Sequence, residues 1–287
     1  MKTENFINVD LHAHSDFSDG SLSVYNLIKV SAENNCKYLA LTDHDTIDGI
    51  SIAKECALEF QLNIISGVEI SVTWNNNILL HILGLNVDHT SNDLIENLNN
   101  LRSLRFKRAQ QIANNLSKIG IKDSLAGAMK YCKNINSLSR THFNQFLVDN
   151  KYSKPGKAFD KYLAYGKPGY VDCTWASLTD AINWIKNSGG IPVLAHPGRY
   201  KMNNSTLIKL INNFKELGGE GIEVISPSHT LDDVHKFASL SVKFELLASA
   251  GNDFHTLDNG VRKIKPGLTR KLPYICNPIF NRLGLEL

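Results

Sequence analysis

Apolar and polar positions along the chain follow two different periods. Runs that are continuously apolar, or alternate every second residue, predict strands at Phe6–Leu11, Tyr38–Leu41, Asn63–Val72 and Ile78–Leu85. Between them, Leu22–Asn34 and Ile47–Phe60 place their apolar residues at helical spacing. The alternation resumes late in the chain. Helices are predicted at Leu178–Ser188, Leu207–Leu217 and Leu231–Leu240, and strands at Ile191–Leu194, Gly221–Ile225 and Leu246–Ala250. Strands that alternate with helices build βα units around a mostly parallel sheet. Seven or eight such strands predict an α/β barrel.

The middle of the chain breaks this pattern. From Leu94 to Tyr165 the periodicity is helical, with basic and Asn-rich faces, punctuated by Gly120 and the Lys154-Pro155-Gly156 turn. The expected organisation is a first barrel part at 1–95, a helical insertion at 96–167 and a second barrel part at 168–287.

Composition narrows the class. With 43% hydrophobic and 21% charged residues over 287 positions, the chain can bury a full core and is neither disordered, collagenous nor a coiled coil. A net charge of +3 is too even to argue for nucleic-acid binding by bulk charge. No apolar run reaches the length of a membrane span, and the opening MKTENFINVDLHAHSD has no signal-peptide core. The expectation is a cytoplasmic protein with no membrane partner and no obligate protein partner. Cys36, Cys56, Cys132, Cys173 and Cys276 are scattered and contain no C-x-x-C pair, which predicts free thiols and no thiolate metal site.

The histidines and carboxylates are where the chemistry lies. The first cluster is Asp10-Leu11-His12-Ala13-His14, with Asp19-Gly20 shortly after. Strand alternation would turn His12 and His14 to one face and Leu11 and Ala13 to the other. The apolar strand Leu39-Ala40-Leu41 then runs into Thr42-Asp43-His44-Asp45. Another ends in Gly67-Val68-Glu69. His81 sits inside the run Ile78–Leu85. Val193-Leu194 leads to Ala195-His196-Pro197-Gly198-Arg199, and Ala248–Ala250 leads to Gly251-Asn252-Asp253-Phe254-His255. Five of these six clusters lie at the C-terminal end of an apolar strand. In an α/β barrel those ends meet at one face, where active sites form. Imidazoles mixed with carboxylates suit Mn²⁺, Fe²⁺ or Zn²⁺. His89 and His235 fall on polar stretches and read as surface residues, while His229, after the strand Gly221–Ile225, can face the same pocket.

The order H-x-H, D-G, T-D-H-D, G-x-E, A-H-P-G-R and D-x-H resembles the PHP (polymerase and histidinol phosphatase) superfamily across nearly the whole chain. The closest likeness is to its TrpH-like branch, which contains nucleoside 3′,5′-bisphosphate phosphatases and a 5′–3′ exoribonuclease. The resemblance implies a distorted (β/α)7 barrel with a small helical insertion over the active site, and a centre of three divalent metal ions. Manganese is the first expectation, with iron or zinc as alternatives. Carried over, His12, His14, Glu69 and Asp253 would hold one ion. Asp19, His44 and His255 would hold the second, and Glu69 would bridge to a third held by His81 and His196. Asp19 stands where some branches carry a histidine.

The insertion adds Arg140-Thr141-His142, which resembles the branch's R-P-H segment with threonine in place of proline. The likeness makes Arg140 and His142 phosphate contacts; an ordinary helix cap is the other reading of His142. Arg199 is a further phosphate clamp, because a planar guanidinium fork suits an oxyanion. The implied reaction is hydrolysis of a nucleotide or short-RNA phosphate ester by a metal-bound hydroxide, with His12, His14, Asp19 and Arg199 in the catalytic set. His229 is a candidate proton donor. Arg102, Arg105, Lys107 and Arg108 form either a solvated helix face or a basic rim for a nucleotide. A small-metabolite phosphatase, a non-catalytic metal-binding domain and a C–N amidohydrolase remain the competing readings.

Overall fold

Strand β1 (Phe6–Ile7) is followed by β2 (Val9–Ala13), α1 (Val24–Glu33), β3 (Tyr38–Leu41), α2 (Ile50–Phe60), β4 (Asn63–Trp74) and β5 (Ile78–Leu85) in a computed structural model that describes residues 6–75, 78–257 and 265–286. Helices α3 (Asn92–Lys118), α4 (Ser124–Met129) and α5 (Arg140–Asp149) form the middle of the chain. Then come α6 (Leu178–Asn187), β6 (Ile191–Leu194), α7 (Asn204–Glu216), β7 (Gly221–Ile225), α8 (Leu231–Lys243), β8 (Leu247–Ala250) and β9 (Thr269–Arg270). Residues 1–5 of the N-terminal stretch lie outside the described residues.

Seven strands form one sheet in the order β2-β3-β4-β5-β6-β7-β8. The sheet nearly closes on itself. Ala13 bridges Phe254 in parallel, and the His14 N–H donates to the Phe254 carbonyl at 3.0 Å. The expected strand Phe6–Leu11 is divided: β1 pairs antiparallel with β9, outside the barrel.

The sheet is less parallel than the alternating pattern implies. β5 runs antiparallel to both β4 and β6. The physical cause is the short link between β4 and β5, which makes a hairpin, whereas a parallel partner needs a crossover of a dozen residues or more. This reversal explains the one histidine that does not end its strand. Because β5 runs backwards, His81 in its first half pairs with Ser71, two residues beyond Glu69.

Among the described residues, three clusters of buried side chains hold the molecule. The largest lies between the sheet and its helices, where Leu39, Leu41, Val68, Ile70, Ile82, Ile222 and Val224 meet Leu27, Ile28, Ile182, Ile185, Phe214 and Phe237. A second fills the barrel floor: Val9, Leu11, Ala40, Ile65, Leu83, Val193 and Ala195 close over Ile279 and Phe280 of the C-terminal segment. The third belongs to the helical middle of the chain, with Ile112, Leu116, Phe143, Phe146, Leu147 and Leu163 packed together. The boundary expected at 96 falls inside α3, whose Leu94, Leu98 and Leu101 belong to the barrel cluster while Ala109, Ile112 and Leu116 belong to the third. One continuous helix thus carries the insertion rigidly on the barrel.

Side-chain caps start the helices where the sequence places Ser, Thr or Asn. Ser23, Ser91, Ser177, Asn203 and Thr230 each accept a backbone N–H of the first turn. Each such cap is worth ~1 kcal/mol.

Candidate metal centre

The strand ends deliver His12, His14, Asp19, His44, Glu69, His81, His196, Asp253 and His255 to one buried group. β2 supplies His12 and, just past its end, His14. Leu11 does not turn away from His12 as strict alternation would require. It packs in the floor cluster, inside the barrel. The register of β2 on β3 shifts between Asp10 and Ala13, and this irregularity lets neighbouring side chains both face inward. Glycine at 251 is required here: a Cβ would collide with His12 Cβ and lie 3.0 Å from Glu223 Oε1. Glycine at 20 is required as well, since a Cβ there would strike the His14 carbonyl.

Glu69 is the hub. Its Oε1 lies 2.9 Å from His81 Nδ1 and 2.8 Å from His196 Nε2. Its Oε2 lies 3.3 Å from His12 Nε2, 3.2 Å from His14 Nε2 and 3.0 Å from His44 Nδ1. The loop after β3 stays paired to β4, with the Asp45 N–H donating to the Glu69 carbonyl at 3.0 Å, so His44 is held against the hub.

Asp253 and Asp19 complete the group. Asp253 Oδ1 lies 3.5 Å from His12 Nε2, 3.3 Å from His14 Nε2 and 3.4 Å from His255 Nδ1. Its Oδ2 accepts a hydrogen bond from Arg199 at 2.6 Å. Asp19 Oδ1 lies 3.3 Å from His255 Nε2 and 3.8 Å from His44 Nε2. Asp19 Oδ2 accepts from Ser139 Oγ at 3.0 Å and from Thr141 Oγ1 at 2.9 Å. The insertion is therefore bonded directly to the group.

Two members sit in backbone conformations that L-residues seldom adopt: His196 has φ +26° and Asp253 has φ +44°. Such positions cost on the order of 1–3 kcal/mol and persist where the surroundings over-determine them.

Burial and charge oppose each other throughout. Burial alone would raise the Glu69 carboxyl, but His44, His81 and His12 hold it well below the usual carboxylate range. The same contest leaves Asp19 low beside His255 and His44, and Asp253 low beside Arg199 and His12. Burial lowers His14, yet its contacts with Asp253 and Glu69 prevail and push it up to about 9. His44 and His196 are pulled down by burial.

The donor set fits divalent cations. Asp19 Oδ1, Glu69 Oε2, Asp253 Oδ1, His14 Nδ1, His44 Nδ1 and His196 Nδ1 are buried without a hydrogen-bond partner. Burying such atoms unpaired is costly unless a cation completes them. Among the described residues, three groups have ligand atoms within 4.8 Å of one another: His14, Asp19, His44 and His255; His12, His14, Glu69 and Asp253; and His44, Glu69 and His81. Each pair of groups shares one residue. His196 stands beside them on the Glu69 oxygen that faces His81.

The PHP domain family model matches residues 10–174. This chain belongs to the PHP domain family. A 3′,5′-nucleoside bisphosphate phosphatase of Chromobacterium violaceum is 44% identical over 281 residues, which cover 98% of each chain. The 5′–3′ exoribonuclease Rnm of Escherichia coli is 40% identical over 249 residues, covering 86% of this PHP chain and 84% of the relative. Among solved structures, a Chromobacterium violaceum protein described as an amidohydrolase, with bound sulfate and no metal, is 43% identical at a TM-score of 0.92, covering 97% and 96% of the two chains.

The other expected site residues are placed differently from the nine. His229 is buried with both ring nitrogens engaged: Nδ1 lies 3.0 Å from the Val224 carbonyl, and Nε2 accepts the Gly198 N–H at 3.1 Å. In this position it props the turn Pro197–Arg199. His142 caps α5. Its Nδ1 accepts the Ser139 N–H at 3.0 Å and its ring also bonds the Ser18 backbone, so it fastens α5 to the loop carrying Asp19. In this position His142 completes the capping box of α5 with Ser139. Arg140 lies under Phe159, 4.9 Å from the ring centroid, and lines a neighbouring recess. Arg199 is about half exposed, so it can hold Asp253 and still meet a ligand.

Sequence reasoning passed over Glu223. Its Oε1 lies 2.9 Å from His12 Nδ1, and its Oε2 accepts the His196 N–H at 2.5 Å. A signal was present: a lone carboxylate in the otherwise apolar strand Gly221–Ile225 is rarely buried without a partner. Asp43 and Asp45, which flank His44, are supports. Asp43 accepts from Ser15 Oγ at 2.6 Å and Ser18 Oγ at 2.5 Å. Asp45 accepts from Arg105 Nε at 2.6 Å.

Proposed function

We propose that this PHP protein is a metal-dependent phosphoesterase for nucleotide phosphate esters. Its preferred reaction is removal of the 3′-phosphate of nucleoside 3′,5′-bisphosphates, and short RNA 5′ ends are the alternative substrate of the same site. The observation that carries this reading is the convergence of six imidazoles and three carboxylates, with unpartnered buried oxygens, beside the half-open Arg199 guanidinium. The likeness to the bisphosphate phosphatase over nearly the full length of both chains supports the substrate class.

The residues fit three divalent ions, manganese first, with iron or zinc as alternatives. His12, His14, Glu69 and Asp253 would hold one. Asp19, His44 and His255, with His14 in reach, would hold another. Glu69, His81 and His196 would hold the third. Bound divalent ions supply Lewis acidity toward phosphate oxygens and lower the pKa of water to near neutrality.

The chain's own groups do the rest. Arg199 neutralises phosphate oxygens while its other edge fixes Asp253. Ser139 and Thr141 hold Asp19 from the helical middle of the chain, which forms the substrate-side wall. Glu223 sets the tautomer of His12. With His142 and His229 tied to backbone groups, the leaving oxygen takes its proton from water.

No helix among the described residues is long and apolar enough to cross a membrane. All five cysteines are unpaired, which supports a reducing compartment such as the cytoplasm.

The test is product analysis in Mn²⁺ with adenosine 3′,5′-bisphosphate and a 5′-phosphorylated RNA oligomer side by side. Phosphate release from the bisphosphate with the oligomer left intact gives a nucleotide phosphatase. Stepwise mononucleotide release gives an exoribonuclease. If metal-loaded protein turned over neither, the nucleotide reading would be wrong.

A further inference from the structure

Positive charge is concentrated on one stretch of the surface. Residues 150–170 carry Lys151, Lys154, Lys157, Lys161 and Lys167 against one acid, Asp160, in a chain whose net charge is only +3. All five lysines are exposed. Among the described residues the lysine that pairs with a carboxylate is Lys133, with Asp16, so these five have no such partner. Lys161 donates to the Tyr152 carbonyl at 3.3 Å and lies 4.7 Å from the Tyr162 ring centroid. The cations of α3 differ. Arg102 pairs with Asp48, Arg105 pairs with Asp45, and Arg108 Nε donates to the Val171 carbonyl at 3.1 Å. Of that group only Lys107 is exposed.

Aromatic rings alternate with these lysines. Tyr165 is 82% exposed and meets Tyr170 edge-on, with centroids 5.2 Å apart. Phe159 is also exposed, with Arg140 4.9 Å from its centroid. The strip is held in place from below. Ala158 and Leu163 are buried in the third cluster, the Tyr162 hydroxyl donates to the Tyr152 carbonyl at 3.2 Å, and the Gly169 N–H donates to the Tyr162 carbonyl at 2.8 Å. It also reaches the metal group. Arg140 donates to the Leu163 carbonyl at 3.4 Å, and the next residue, Thr141, holds Asp19. The strip therefore starts one residue from a side chain bonded to the metal group and runs outward over the helical middle of the chain.

We propose that residues 150–170 form a track for single-stranded RNA, which carries the nucleotides that follow the one held at the metal centre. The inference rests on the phosphoesterase reading above and concerns its oligonucleotide substrate. Free lysines match a row of phosphates, and exposed rings offer faces on which successive bases stack whatever their sequence. A duplex keeps its bases stacked inside and cannot use those rings. The track lies outside the metal group, so a mononucleotide does not reach it.

The experiment measures binding of 5′-phosphorylated, phosphorothioate-linked RNA of two, four and six nucleotides, labelled at the 3′ end, to Mn²⁺-loaded protein by fluorescence anisotropy. Wild type is compared with the triple variant Lys154→Gln, Lys157→Gln, Lys167→Gln and with Tyr165→Ala. In wild type the affinity is expected to rise with length. Neutralising three phosphate contacts is expected to flatten the slope of log K against log salt by about 2 for the six-nucleotide RNA. Y165A is expected to weaken the same RNA about 5- to 100-fold, the loss of one stacked base. Turnover of adenosine 3′,5′-bisphosphate should stay within about twofold of wild type in both variants. An affinity independent of length in wild type overturns the proposal. So does an unchanged salt slope in the triple variant, an unchanged affinity in Y165A, or a duplex of the same length that binds as well as the single strand. Failure of the parent reading looks different: wild type would then turn over neither the bisphosphate nor an unmodified oligomer, whatever the anisotropy shows.

Discussion

His12 Nδ1 and Glu223 Oε1 stand 2.9 Å apart in the barrel interior. This contact leaves His12 Nε2 as the nitrogen that faces Glu69 and Asp253. The second Glu223 oxygen takes the His196 N–H, so one buried carboxylate orients two members of the metal group. Partners of this kind contribute about 10- to 100-fold in metal affinity. Glu223→Gln is therefore expected to fold and to bind the metal it shares through His12 more weakly by that factor. Competition with a chelator of known affinity measures it; an unchanged affinity would falsify the role of Glu223.

Asp253 meets His12, His14, His255 and Arg199 at once. Asp253→Asn keeps the shape and removes the charge. Turnover is expected to fall below detection while the melting transition remains cooperative. Near-native turnover in D253N of verified metal content would remove Asp253 from the site.

The hydroxyl of Thr141 supplies one of two side-chain hydrogen bonds to Asp19 Oδ2. A hydrogen bond to a charged group is worth about 1.5–3 kcal/mol. Thr141→Val is expected to cost about tenfold in kcat/KM, and adding Ser139→Ala to cost more. Both variants should retain the fold, because the cap loss in α5 is ~1 kcal/mol. Full activity in the double variant would show that the insertion does not position Asp19.

His229 divides a strut from a proton donor. His229→Phe leaves the Gly198 N–H without a partner and should destabilise the protein by about 1–3 kcal/mol. The limbs of the pH–rate profile should stay where they are in wild type. Loss of one limb would restore His229 as an acid.

Protons and metal compete at His14. Its metal-free value of about 9 lies above the ordinary 6.5, so it is protonated at pH 7 beside Asp253 and Glu69. A raised pKa contributes stability that is fully present below 6.5 and lost as pH rises through 9. Metal-free protein is thus expected to lose melting temperature across that window. A cation must displace the proton, so metal binding at pH 7.5 should release protons and strengthen toward pH 9. Calorimetry in buffers of different ionisation enthalpy measures the release; a heat independent of buffer would contradict it.

Much of the barrel was legible in the sequence. Strands β3, β6 and β7 have the expected bounds, because short apolar runs between turn residues admit few other structures. The nine clustered residues stand out because strand ends carrying imidazoles and carboxylates have nowhere to converge but one barrel face. The composition of the site was therefore readable from local pattern together with fold class.

Three features were not readable. The irregularity in β2 turns Leu11 inward beside His12, and a shift of one residue in pairing leaves no mark on periodicity. Glu223 lies 211 positions from His12, so its partnership exists only once β7 and β2 share an interior. His142 as a phosphate contact and His229 as a proton donor were the expectations, yet both rings are bonded to backbone groups. By itself, the sequence determined which side chains could bind metal and which strands would bring them to a common rim, because both follow from residue type and local period. Tertiary structure alone decided which ring nitrogens stay free and which carboxylates support, because those outcomes depend on hydrogen-bond partners that meet only when the barrel closes.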